Sequence, residues 1–191
     1  MTEADWLAAT DPTPLLEALL AAGEMGTRRL NLYVLACARA LGPPYPGDLT
    51  PALLEEQEHR LDHLDALPVW RGGSAAGHLQ RLMIGMRGLL PLYQAVLAPS
   101  AEARPRQAAL VRDIFRNPAR AAPLVRAAWR TEEVVSEAAA IYADRAFERL
   151  PQLADTLEKA GCADGELLGH LRSPGPHVRG CWAVDLLVGK E

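Results

Sequence analysis

Proline and glycine, fifteen of each in 191 residues, cut this chain into short segments, and most cuts sit beside a residue suited to capping a helix. Between the cuts Ala and Leu supply most of the apolar content, Val and Ile are few, and aromatics make up only 5%. No stretch alternates apolar and polar residues for long, so the period of a half-buried strand is missing and helix is favoured. The expected fold is all-α, an irregular multi-helix bundle or array of about nine or ten helices, with short stacked helices at the C-terminus. The length suits one helical domain over 1–191, with sub-lobes at 1–98 and 101–191 as a further division.

The punctuation places the elements. Thr2 can cap a short helix carrying Trp6 and Leu7, and Thr13-Pro14 restarts the chain with Thr13 as N-cap and Pro14 at the first helical position. Leu30, Val34, Cys37 and Leu41 mark a helix from Thr27 to Leu41, and residues 42–47 form a stiff connection. Thr50-Pro51 opens a helix through about Leu67, Arg71-Gly72-Gly73-Ser74 breaks the chain, and Ala75–Leu97 reads as a long helix kinked near Pro91. Later helices are expected over Pro105–Phe115, Thr131–Tyr142, Arg145–Leu150, Gln152–Ala160, Gly165–Leu171 and Val178–Val188.

A formal net charge of −4 argues against wholesale nucleic-acid binding. The charge is unevenly spread: seven arginines stand between Arg104 and Arg130 against the single acid Asp113. From Glu132 to Glu166 acids outnumber bases nine to three. Arg104, Arg106, Arg112, Arg116, Arg120 and Arg126 are therefore the candidate contact surface for an anionic partner, expected to be another protein. The N-terminus has no basic region followed by an apolar run, and no apolar stretch approaches membrane-spanning length. An odd cysteine count of three fits a reducing cytoplasm, where the chain is expected to work without a membrane partner.

Two constellations carry metal chemistry. Cys162, His170, His177 and Cys181 supply two thiolates and two imidazoles, the donor set of a structural zinc clip. The spacing lacks the short first knuckle of recognisable zinc modules, so the ordinary expectation is a packed cap with no cofactor, and the zinc clip is its alternative. Glu55, His59 and His63 recur at helical spacing, yet His59 and His63 fall, with Glu56, opposite the side defined by Leu53, Leu54, Leu61, Leu64 and Leu67, which points the row to water. The loop from Ser173 to Gly180 could offer amides to an anion, but its prolines remove donors, so a structural turn is expected. The last helix is apolar nearly all round, which implies burial of Trp182 and makes Asp185 a buried carboxylate in need of Arg172 or Arg179. Arg179, Trp182 and Asp185 are assigned structural roles, and no nucleophile stands beside a base in the sequence.

Several segments together resemble a paralogous family of planctomycete bacteria. At the front these are Met1–Leu7 with Asp11-Pro12, and Arg28-Arg29-Leu30 with Cys37. Further on come Val111–Phe115, Asn117-Pro118, Trp129, Tyr142, Asp144–Phe147 and Leu150-Pro151. The most specific part is the close, Gly175-Pro176-His177-Val178-Arg179-Gly180-Cys181-Trp182 with Asp185, Leu186, Leu187, Gly189 and Lys190. The resemblance implies a portable helical module and carries no catalytic residue with it; the middle, about 43–104, departs from the family pattern. The functional expectation is a non-enzymatic cytoplasmic protein-interaction module, with a zinc-clipped helical protein as the alternative and a nucleic-acid accessory role as the weaker one.

Overall fold

Residues 1–42, 50–62, 96, 99–120 and 127–190 are described by a computed structural model. Among them there are nine α-helices, two short 3-10 turns and no strand. The kinked helix expected near Pro91, the Pro-rich connection after Gly42 and the break at 71–74 lie outside the described residues. The chain forms two compact units, Met1–Ala119 and Arg120–Glu191. The division falls later than the expected 98/101 boundary, because the helix after it packs back onto the first unit.

The first unit holds α1 (Glu3–Ala8), α2 (Pro12–Ala22), α3 (Thr27–Leu41), α4 (Pro51–Leu61) and α5 (Arg104–Ile114). α3 is its axis. Every residue from Leu30 to Ala38 is buried, as a helix enclosed on all sides requires, and α3 packs against α4 and α5 while α2 packs against α5. Polar groups drawn into this unit are paired. Arg39 holds Glu58 through two hydrogen bonds, at 2.8 and 3.2 Å, with Glu58 only 3% exposed. Arg28 donates to Asp62 at 3.0 Å.

Local caps explain where the helices begin. Thr2 and Asp5 form a reciprocal capping box at α1, and Thr50 and Thr131 cap α4 and α6 through their hydroxyls. At α2 the expectation is corrected. Asp11, not Thr13, is the N-cap: its carboxylate accepts from the Thr13 N–H at 2.8 Å, and Pro12 takes the first helical position. Both X-Pro pairs satisfy the same rule, and the earlier one gains an extra half-turn of helix.

The second unit begins with a 3-10 turn at Ala127–Trp129 and continues through α6 (Glu132–Asp144), a 3-10 turn at Phe147–Arg149, α7 (Leu150–Lys159), α8 (Gly165–Leu171) and α9 (Trp182–Val188). α6 packs on α7 and α9, and α8 packs on α7. Val134, Ile141, Leu153, Leu157, Leu167 and Leu187 make a core with no measurable exposure. The helix expected over Arg145–Leu150 does not form as such. Arg145 instead ends α6 in the left-handed region, φ 56°, with its N–H on the Ile141 carbonyl, and only a 3-10 turn precedes α7. α9 also starts later than expected. Gly180 at φ 95° turns the chain, so Val178 to Gly180 lie in the loop and Cys181 is the N-cap.

Candidate metal centre

α8 owes its start to Asp164, whose carboxylate accepts from the Glu166 and Leu167 N–H groups at 3.0 and 2.9 Å. Seven residues later the helix ends, with His170 in its last turn. The loop through Pro174, Gly175 and Pro176 then carries His177 back toward α8, and a turn closed by Cys181 N–H on the Val178 carbonyl, 2.9 Å, delivers Cys181 to the head of α9. His170 Nε2 lies 3.2 Å from Cys181 Sγ. The His170 and His177 rings meet edge to face, with centroids 5.1 Å apart, and Trp182 lies against His170 at 4.9 Å. One donor atom from each of His170, His177 and Cys181 lies within 4.8 Å of the others. Cys181 is wholly buried, while both histidines are half-buried.

These distances fit a metal of tetrahedral habit. Zn–N of about 2.0–2.1 Å and Zn–S of about 2.3 Å at a tetrahedral angle place nitrogen and sulfur about 3.6 Å apart. The observed 3.2 Å needs only a small opening. One cysteine sulfur and two imidazole nitrogens form a borderline-soft donor set, of the kind that takes zinc more readily than magnesium or calcium.

The structure thus unites three of the four residues singled out in the sequence and leaves Cys162 apart. Gly161 at φ 88° follows α7, its N–H meets the Glu158 carbonyl at 2.9 Å, and the Cys162 N–H meets Leu157 at 3.1 Å. This is the two-bond helix stop whose outer residue packs as an apolar contact. Cys162 fills that position in the core, and burial pushes its thiol up from the ordinary value, keeping it protonated.

The other candidates are placed as follows. Glu55 and His59 are exposed on α4, and His63 lies outside the described residues. Arg104 faces Asp11 at 3.4 Å, Arg106 donates to the Ala40 carbonyl at 3.1 Å, and Arg120 faces Glu166 at 3.6 Å. Arg112 reaches the carbonyls of Trp6 and Ala9 at 3.3 and 2.8 Å, capping the end of α1. Arg116 is half-buried, and Arg126 lies outside the described residues. Trp182 is buried as expected, and Asp185 has no exposure. Arg172 is not held at Asp185: it bridges Asp155 and Glu158 at 2.7 and 2.6 Å on the surface, two acids that hold its guanidinium charged. Arg179 lies over the Tyr142 ring at 4.9 Å, beside Lys190 at 4.4 Å.

The Cys181–His170 pair is what sequence spacing understated. A thiol and an imidazole eleven residues apart, with Pro174-Gly175-Pro176 between them, share no helix on which spacing could pair them; the loop between α8 and α9 creates their meeting. No described helix is long and apolar enough to cross a membrane. No family model, curated protein or solved structure matches this chain.

Proposed function

We propose that this is a zinc-binding helical protein in which His170, His177 and Cys181 hold the metal as a structural clip. The observation that carries this reading is the convergence of three donor atoms within 4.8 Å, one on a helix, one in a loop and one at the next helix head. A clip there would fasten the Pro-Gly loop to both α8 and α9. Metal binding would then be folding free energy, since the donors are scattered in the unfolded chain. Zinc would bind the thiolate of Cys181 and neutral imidazoles, and Trp182 would wall the site from water on one side.

Elemental analysis of untagged, dialysed protein tests this. The expected result is about one equivalent of zinc per chain, with a melting temperature that falls on chelation and returns on zinc addition. Protein free of metal, with a melting curve indifferent to chelator and to zinc, would overturn it. The protein-interaction role expected from the arginine segment has no observation of similar weight, because Arg104, Arg106, Arg112 and Arg120 spend donors on acceptors of their own units.

A further inference from the structure

All three hydrogen-bonding groups of Ser173 are turned to the two histidines. Its N–H meets the His170 carbonyl at 3.1 Å, and its hydroxyl donates to the same carbonyl at 2.8 Å. Its carbonyl lies 3.1 Å, and its hydroxyl oxygen 3.2 Å, from Nε2 of His177. The proton positions follow from what each group can do. A carbonyl only accepts, so a neutral imidazole facing Ser173 O must carry its hydrogen on Nε2; otherwise two lone pairs would oppose each other. The Ser173 hydroxyl hydrogen goes to the nearer acceptor, the His170 carbonyl, and its oxygen becomes a second acceptor for the His177 N–H. The lone pair of neutral His177 is therefore on Nδ1. At His170 the nitrogen facing Cys181 Sγ is Nε2.

We infer that Ser173 is the positioning residue of this centre, holding His177 in its Nε2–H tautomer so that it ligates through Nδ1 while His170 ligates through Nε2. The ligation half of the statement rests on the zinc reading above; the tautomer half does not. Metal-bound histidines characteristically donate their other N–H to a fixed acceptor, and that acceptor sets which nitrogen binds. Gly175 completes the device. At φ 87°, a Cβ there would stand 2.8 Å from the His177 backbone nitrogen and 3.2 Å from its ring, so any side chain would push the imidazole off Ser173.

The test uses the full chain labelled with 15N-histidine, stripped of metal and held at about pH 8, where an unperturbed imidazole is neutral. Two-bond proton–nitrogen correlations then report which nitrogen of His177 carries the proton. The expected spectrum shows the proton on Nε2. Added zinc should move the signals of His177 Nδ1 and His170 Nε2. Ser173→Ala should blur the tautomer and weaken zinc binding about tenfold, the lower end for loss of such an outer partner, and Ser173→Thr should restore both. A His177 ring protonated on Nδ1 in the stripped protein, or Ser173→Ala with unchanged nitrogen signals and affinity, overturns the role of Ser173. A chain with the Nε2–H tautomer that takes no zinc overturns the ligation half and the zinc reading together, whereas zinc bound without the tautomer overturns Ser173 alone.

Discussion

Cys37 in the first unit and Cys181 in the second are both buried, yet their surroundings differ in kind. Cys37 sits on the enclosed helix α3 with Tyr33 as its polar neighbour, and burial pushes its thiol up to about 12. It stays protonated at neutral pH and behaves as a small apolar residue. Cys181 faces an imidazole nitrogen at 3.2 Å with a second histidine beside that ring. The first unit resolves its buried polarity through closed pairs such as Arg39–Glu58, whereas the second gathers donors that can share one ion. Burial alone therefore does not mark a candidate ligand cysteine; the neighbour does.

The contrast breaks most sharply on chelation of the zinc proposed for the second unit. For metal held at about a thousand times its Kd, chelation should cost about 4 kcal/mol of stability, measured by denaturant unfolding with and without chelator. Cys181→Ser should show no chelator effect, and Cys37→Ser should keep it. A smaller effect is expected in the first unit. Glu58→Ala removes the carboxylate that holds the Arg39 guanidinium, which is one-third exposed on its side chain, and should cost about 2 kcal/mol, below the range for a fully buried pair. Its zinc content should be unchanged, and a loss of zinc would blur the distinction between the units.

Thiol reactivity sharpens the comparison further. In chelated protein, iodoacetamide should modify Cys181 before Cys37: both thiols are buried and need their units to open, but chelation destabilises only the second unit, and burial holds the Cys37 thiol protonated; peptide mapping over time checks the order. Equal rates would mean that both thiols respond only to global unfolding. The smallest effect concerns the N-terminal caps. Hydrogen bonds from Thr13 hold the Asp11 carboxyl below its ordinary value, and those from Thr2 do the same for Asp5. A depressed folded value means that this stabilisation is present above the unfolded carboxylate range of about 4 and is lost as pH falls through the folded value. Asp11→Asn should flatten the acid limb of the stability curve slightly, leaving stability at neutral pH nearly unchanged because Asn also caps.

Much of the fold was legible because helix ends are local chemistry. Thr2, Thr50 and Thr131 cap helices where an oxygen two or three residues before an apolar run can reach a free N–H. Asp11 and Thr13 show the limit: both fit the rule, and only the packed chain chooses. Arg145 in the left-handed region was illegible for another reason, since non-glycine residues rarely adopt it and tertiary structure imposed it. At the candidate metal centre the right stretch stood out by its density of Cys, His and Trp. Composition cannot separate a candidate ligand from the apolar stop of α7, so Cys162 falls in the same group by sequence. The meeting of His170 with Cys181 depends on the course of the intervening loop, which no periodicity encodes.

The most direct test of the zinc centre is calorimetric titration of zinc into the stripped, full-length protein, run beside Cys181→Ser and Cys162→Ser. One equivalent should bind to the parent chain and to Cys162→Ser, and none to Cys181→Ser. No binding by the parent chain, or equal loss in both cysteine variants, would contradict it.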